Sequence, residues 1–138
     1  APAAGWKRTI GMAASVLHPR LKLTNQIDSS ILSHDQASCK AYAADPLIFH
    51  TATARWFTEI LATHGDVRRR AGQLAIPMLL LQAGDDRLVD AQAAQELFGL
   101  VGNIDKQLKV YPGLFHEILN EVERDQVMTD LTDWLHKH

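Results

Sequence analysis

The apolar run Met78–Leu81, which follows Pro77, constrains the fold of this 138-residue chain more than any other feature. It has the length of a strand, and successive side chains of a strand point to opposite faces of a sheet. An unbroken apolar run is therefore typical of a parallel strand that is buried on both faces. Gly84–Asp86 ends the run, and Leu108–Tyr111 predicts a second short strand.

Helical patterns lie between and after these two strands. Asp90 predicts the N-cap of a helix over about residues 91–101, which Gly102 ends. Asn120 and Glu123 form a capping-box pattern that predicts a last helix over about residues 121–137. The strand–helix–strand order predicts a parallel sheet with a right-handed crossover. Because two strands make too small a sheet to be stable by themselves, we expect further strands elsewhere.

The first part of the chain has a different pattern. Apolar residues at three- and four-residue spacing predict a helix over about residues 4–18, which Pro19 ends. Further helices are predicted over about residues 35–43 and 50–71, and no strand is predicted before residue 74. We therefore divide the chain into a helical region, 1–73, and a strand–helix region, 74–138.

The composition excludes several classes of protein. The hydrophobic fraction of 46% and the charged fraction of 22% are those of a globular domain, and the net charge of −2 predicts no nucleic-acid partner. The single cysteine, Cys39, cannot form an internal disulfide. No apolar run has the length of a membrane span, and no signal peptide is visible. Since the chain begins at Ala1 without methionine, we expect the natural N-terminus to be missing, and targeting cannot be read from the sequence. The expected location is cytoplasmic or membrane-peripheral.

Two loops leave the carboxyl ends of the predicted strands, where active sites of open α/β sheets gather. The loop over 83–90 carries Asp85 and Asp86, and the loop over 112–117 carries His116. An acid and a histidine on adjacent loops form the arrangement that a Ser-His-Asp triad requires. The chain order, acid before histidine, is that of the α/β-hydrolases.

Several segments resemble the monoacylglycerol lipase and lysophospholipase group of α/β-hydrolases, often classed with serine aminopeptidase-like hydrolases. The sequence IPMLLLQAGDDRLVD at 76–90 resembles the acid-bearing strand and loop, and YPGLFHEILNE at 111–121 resembles the histidine loop. The sequences ADPL at 44–47 and TAR at 53–55 resemble the cap segment of the group. The resemblance therefore covers nearly the whole chain.

This resemblance implies that Asp86 is the triad acid and His116 the triad base. Asp85 is the rival acid, and Asp90 is expected to cap the following helix. The alternatives are a turn role for Asp86 and a solvated loop position for His116.

Two further acids of the histidine loop, Glu117 and Glu121, are expected to have structural roles. They would orient the loop or cap the last helix.

The expected fold is the C-terminal part of an α/β-hydrolase, with its last two parallel strands and flanking helices, preceded by a helical cap. In this reading 1–73 is the cap or lid and 74–138 is part of the core. No Gly-x-Ser-x-Gly occurs, and serines stand only at 15, 29, 30, 33 and 38. The nucleophile is thus expected in a missing N-terminal part, and the chain alone is expected to be inactive.

The resemblance implies a lipid ester substrate, a monoacylglycerol or a lysophospholipid, with contact at a membrane surface. Candidates to line the acyl channel are the apolar residues of the cap region, with packing inside the cap as the alternative for each: Trp6, Ile10, Met12, Leu17, Phe49, Trp56 and Phe57. The expected protein partner is the N-terminal part of the same enzyme or a second copy of the chain.

Other functions stay open at this point. The same fold supports peptidase, acyltransferase or epoxide hydrolase activity, and a two-strand chain would also suit a non-catalytic dimerisation fragment. His116-Glu117 begins like the zinc motif His-Glu-x-x-His, but Asn120 takes the place of the second histidine. We therefore expect no metal and no cofactor.

Overall fold

The computed structural model describes the backbone of residues 5–25 and 27–138, and their side chains except those of residues 5–8 and 10. The chain forms two compact units. The first unit comprises residues up to Ile27 together with Pro46–Arg69, and the second comprises Asp28–Asp45 together with Arg70–His138. None of the helices in the described ranges is long and apolar enough to cross a bilayer.

Helices and strands alternate through the second unit, while the first is mostly helical. In chain order the elements are α1 (Gly5–Leu17), β1 (Lys22–Thr24), α2 (Gln36–Ala44), β2 (Thr51–Thr53), α3 (Ala54–Arg70), β3 (Met78–Ala83), α4 (Ala91–Leu100), β4 (Lys106–Tyr111) and α5 (Arg124–Leu135). Short 3₁₀ turns lie at Ser29–Ile31, Ala71–Gln73 and Ile118–Asn120.

The first unit contains a strand pair that the sequence did not predict. Strands β1 and β2 are antiparallel, with Leu23 opposite Ala52. A hydrogen bond of 2.7 Å between Ser15 Oγ and Thr58 Oγ1 joins α1 to α3. The expectation that residues 1–73 hold no strand is wrong, because strands of three residues are too short to show an alternating pattern.

In the second unit, β3 and β4 pair in parallel, with α4 as the crossover between them. The register runs from Met78 opposite Lys106 to Ala83 opposite Tyr111. Asp90 caps α4 as predicted, since its Oδ1 accepts a hydrogen bond of 3.1 Å from the N–H of Ala93.

The apolar run of β3 is less buried than predicted. Its first four residues, Met78–Leu81, are only partly buried, and only Gln82 and Ala83 are buried. Among the described residues, β4 is the one strand that pairs with β3. A strand with a neighbour on one side leaves its other edge open, and this explains the incomplete burial.

The core of the second unit lies where β4 meets the following loop and α5. Tyr111, Leu114 and Val127 form a buried cluster, against which Leu81 and Ile118 pack.

The predicted boundary at residue 73 does not coincide with the division of the structure. Residues 28–45 belong to the second unit, because polar contacts bind them to the segment that follows β4. The carboxylate of Glu121 accepts a hydrogen bond from the N–H of His34, and the N–H of Glu117 donates to the carbonyl of Leu32. Contacts between segments so far apart in the sequence leave no periodic pattern in either segment.

The last helix begins later than predicted. Residues Ile118–Asn120 form a 3₁₀ turn and α5 starts at Arg124, so the predicted capping box of Asn120 and Glu123 is wrong. Asn120 instead donates to the side chain of Glu117 at 2.6 Å. Glu123 precedes α5 without a side-chain capping bond.

Gly84, directly after β3, lies too close to the neighbouring loop for any side chain. A Cβ at this position would lie 2.7 Å from the carbonyl oxygen of Tyr111 and 2.9 Å from Cα of Pro112. At Gly99, in α4, a Cβ would meet nothing within 4 Å.

These two glycines give a matched pair of variants. We expect Gly84→Ala to lower the free energy of unfolding by roughly 1–3 kcal/mol, because backbone atoms must shift to admit the methyl group. Gly99→Ala is expected to raise it by about 0.5–1 kcal/mol, since alanine restricts the unfolded chain and favours helix. Urea denaturation of the two variants measures both effects, and equal stability of the two would contradict this account.

Candidate active site

The acid of the site lies on the loop that follows β3. Oδ1 of Asp86 accepts hydrogen bonds from the N–H groups of Leu88 and Val89, each 2.9 Å long. These bonds fix the carboxylate within its own turn. Oδ2 takes no part in them and can accept a hydrogen bond from another loop. The side chain of Asp86 is only 3% exposed, so this carboxylate is shielded from water.

The base lies on the loop that follows β4. Nδ1 of His116 is 2.9 Å from Oδ2 of Asp86, and the imidazole is partly exposed. Because a carboxylate is only an acceptor, Nδ1 carries the hydrogen of this bond. In the neutral ring, Nε2 then has the lone pair and can take a proton from a hydroxyl group.

Backbone hydrogen bonds hold the two loops together. The N–H of Gly84 donates to the carbonyl of Tyr111 at 2.8 Å, and the N–H of Asp85 donates to that of Leu114 at 3.0 Å. A turn at Pro112–Gly113, in which Gly113 has φ of 80°, reverses the chain between these two acceptors. The bonds continue the β3–β4 ladder and bring Asp86 and His116 side by side.

The environment of Asp86 favours its ionised form. Burial would raise the pKa of this carboxyl, but hydrogen bonds from Val89, His116 and Leu88 outweigh it and hold the pKa below the ordinary value of 3.8. An ionised Asp86 can stabilise the imidazolium that forms when His116 takes a proton.

The other two acids of this loop are engaged elsewhere. Asp85 is exposed and pairs with Arg87 at 3.2 Å, and Asp90 caps α4. Of the candidate acids on this loop, the structure therefore brings Asp86 to His116. The catalytic roles of Asp86 and His116 remain predictions.

The sequence of the chain matches a known family along most of its length. Residues 1–123 match the model of the family described as serine aminopeptidase, S33. The chain belongs to this S33 family. It resembles monoacylglycerol lipases among the α/β-hydrolases, as the sequence predicted.

Two relatives show how much of an S33 protein this chain represents. It is 34% identical over 123 residues to a monoacylglycerol lipase of Mycolicibacterium smegmatis, covering 88% of this chain and 44% of that protein. It is 35% identical over 130 residues to a monoglyceride lipase of Homo sapiens, and this match covers 90% of this chain and 43% of that protein. The chain thus spans less than half the length of these relatives.

A solved structure confirms the predicted fold class. The monoacylglycerol lipase of Paleococcus ferrophilus superposes with a TM-score of 0.89 at 22% identity, over 96% of this chain and 52% of that one. Strands β3 and β4 with their flanking helices are the C-terminal part of an α/β-hydrolase.

None of the five serines of this S33 chain lies in a Gly-x-Ser-x-Gly sequence. Ser15 bonds Thr58, Ser33 donates to the carbonyl of Asn120 at 2.8 Å, and Ser29, Ser30 and Ser38 lie at or near helix starts. None follows β3 or β4. In the described ranges, His, Cys, Asp and Glu side chains do not form the groups of three that would hold a metal ion.

The residues predicted to line an acyl channel belong to the first unit. The side chains of Trp6 and Ile10 lie outside the described part of the chain. Met12, Leu17, Phe49 and Trp56 are exposed, while Phe57 is partly buried beside Gly11. Their contact with substrate remains a prediction.

The sequence did not predict the full environment of Glu121. It is fully buried and accepts hydrogen bonds from Phe115 and from the distant residues Ser33 and His34. Its place in the histidine loop was the available signal, but no pattern in the sequence indicated its distant partners.

The lowered pKa of Asp86 predicts a pH-dependent loss of stability. A carboxyl whose pKa is depressed by folding stabilises the fold above its unfolded pKa, and this stabilisation disappears as pH falls through the folded pKa. The stability difference between wild type and Asp86→Asn should therefore be largest above about pH 4–5 and shrink at lower pH. Urea denaturation from pH 7 to pH 2.5 tests this, with exposed Asp85→Asn as the control. A difference between wild type and Asp86→Asn that stays constant with pH would contradict the assignment.

Proposed function

We propose that this chain supplies the acid and the base of a Ser-His-Asp triad in an enzyme that hydrolyses lipid carboxylic esters. The observation that carries the proposal is the 2.9 Å contact between Oδ2 of Asp86 and Nδ1 of His116. The serine would come from residues outside this chain, which spans less than half of its curated relatives. We call this chain, joined to the segment that carries that serine, the full-length enzyme.

The geometry suits the two stages of acyl transfer. Nε2 of His116 takes the serine hydroxyl proton as Oγ attacks the ester carbonyl carbon, and the imidazolium then gives the proton to the leaving alcohol. In the second stage Nε2 takes a proton from water, whose oxygen attacks the acyl-enzyme. The fatty acid leaves, and the serine regains its proton. Asp86 stays ionised throughout and holds the Nδ1–H tautomer.

The relatives and the apolar residues of the first unit support the proposed substrate class. Both curated relatives are named as lipases of monoacylglycerols, and we assign monoacylglycerols or lysophospholipids to this chain. The exposed side chains of Leu17, Phe49 and Trp56 would contact the acyl group or the lipid surface that supplies it. In this proposal 1–73 contains the cap, except for the residues 28–45 that pack in the second unit.

The family description favours a peptidase as second candidate, which hydrolysis of aminoacyl p-nitroanilides would reveal.

Kinetics of acid variants test the triad. In the full-length enzyme we expect Asp86→Asn to lower kcat by ~10⁴, because an amide cannot hold the required imidazole tautomer. Asp85→Asn is the matched control and should change kcat far less, since its carboxyl is exposed and paired with Arg87.

Hydrolysis of a monoacylglycerol and of p-nitrophenyl esters provides the measurement, and fluorophosphonate labelling reports the serine. The chain alone should give background rates and no label. Reversed effects of the two substitutions, or turnover by the chain alone that disappears on mutation of Ser29 or Ser30, would contradict the proposal.

The open edge of β3 indicates where the rest of the sheet would bind. In the described residues β3 pairs only with β4, although Met78–Leu81 is apolar on both faces. We propose that a strand from the rest of the enzyme, or from a second copy of the chain, pairs with this edge. An unpaired apolar edge would otherwise promote aggregation.

Sedimentation of the isolated chain tests this assignment. At micromolar concentration we expect self-association, which should disappear when the chain is joined to its N-terminal segment. A compact monomer of the isolated chain, with amides of both strands protected from exchange, would refute it.

A further inference from the structure

Glu121 is a fully buried carboxylate in the second unit, with 0% of its surface exposed. A buried charge is costly unless hydrogen bonds compensate it. Glu121 has such bonds on both oxygens. Oε1 accepts from the N–H of Phe115 at 2.6 Å and lies 3.0 Å from Nδ1 of His34. Oε2 accepts from the N–H of His34 at 2.8 Å and lies 3.2 Å from Oγ of Ser33, whose hydroxyl hydrogen is shared with the carbonyl of Asn120 at 2.8 Å.

These donors come from two segments that are far apart in the sequence. Phe115 directly precedes His116 in the loop after β4, whereas Ser33 and His34 lie just before α2. The imidazole of His34 also packs on the ring of Phe115, with 3.7 Å between ring centroids. One carboxylate thus binds the histidine loop to the segment before α2.

The residue on the other side of His116 is bound to the same segment. The N–H of Glu117 donates to the carbonyl oxygen of Leu32 at 2.8 Å. We call Leu32, Ser33, His34 and Glu121 the His116 clamp. Both chain neighbours of His116 are therefore held by the clamp, while its imidazole is held by Asp86.

We infer that Glu121 is a positioning residue for His116, and that it acts through the backbone of Phe115. The inference rests on the proposed function, in which His116 is the triad base. Loops are the more mobile parts of a fold, and an error of about 1 Å in the position of a reacting group can cost ~10² in rate. The clamp fixes the backbone on both sides of His116. The imidazole is thereby restricted to the position in which Nδ1 bonds Asp86.

The ionised form of Glu121 suits this role. Burial would raise the pKa of Glu121, but the N–H of Phe115 and the backbone and ring of His34 outweigh it and hold the pKa below the ordinary value of 4.5. A carboxylate has only acceptor atoms, so it can accept from both backbone N–H groups and from Nδ1 of His34, while the single O–H of Ser33 is shared with the carbonyl of Asn120.

Glu121→Gln in the full-length enzyme tests the inference. The amide keeps one acceptor oxygen but places an NH₂ group against the backbone N–H of either Phe115 or His34, and so breaks the clamp without removing volume. We expect kcat for a monoacylglycerol to fall about 100-fold. KM should change little, because Glu121 does not contact the substrate. Exposed Glu123→Gln, two residues along the chain, is the matched control and should keep the wild-type kcat.

A spectroscopic measurement separates positioning from a loss of stability. The His116 Nδ1–H proton, held by Asp86, is observable by NMR in the folded enzyme. Glu121→Gln should broaden or remove this signal and accelerate amide exchange of Phe115 at temperatures where the variant is fully folded. If the signal and kcat both stay at the wild-type level, or if kcat falls while the signal is unchanged, the inference is wrong.

Two further variants keep the test decisive. His34→Ala removes one donor and the ring packed on Phe115 but leaves the carboxylate in place, so it decides the question if Glu121→Gln does not fold. It should lower kcat less than Glu121→Gln, and an unchanged kcat would overturn the inference.

His116→Ala tests the proposed function separately. If that variant remains active, the triad is wrong, and the Nδ1–H signal alone decides whether Glu121 positions the imidazole.

Discussion

The parallel register of β3 and β4 is the constraint on which the candidate site depends. Ala83 lies opposite Tyr111 at the carboxyl ends of the two strands, so the loops that follow begin side by side. The bonds from Gly84 to Tyr111 and from Asp85 to Leu114 extend this pairing beyond the strands. A shift of register by two residues would separate the loops by about 7 Å, well beyond hydrogen-bond distance.

Two carboxylates organise the second unit in the same physical way. Asp86 uses one oxygen for backbone N–H groups of its own turn and the other for His116. Glu121 binds the N–H groups of two segments. In both, burial would raise the pKa, but several N–H donors outweigh it and keep the carboxyl ionised, so each carboxylate binds backbone N–H groups of its surroundings as a charged acceptor. The precision of the site thus comes from charge-assisted hydrogen bonds more than from apolar packing, since the buried apolar cluster of this unit is small.

Under the proposed function, the open edge of β3 and the lack of a serine after β3 or β4 have one explanation. Strand β3 has one open edge in the described residues, and none of the five serines follows β3 or β4. Both features fit a chain that spans less than half of its curated relatives. A segment that completed the sheet would also add strands whose carboxyl ends lie at the same end of the sheet as Asp86 and His116, and active sites of this fold class gather there.

The sequence by itself determined the β3–α4–β4 order and the two loops that bring Asp86 and His116 together. The apolar run of β3, the cap at Asp90 and the loops with Asp86 and His116 each depend on residues that are adjacent in the chain, so their patterns can be read directly. The strand pair β1–β2, the placement of residues 28–45 and the partners of Glu121 were decided only by the tertiary structure. Each depends on contacts between residues far apart in sequence, and Glu121 shows why this matters. A glutamate three residues before a helix resembles a cap or a solvated side chain until the fold brings Ser33, His34 and Phe115 around it.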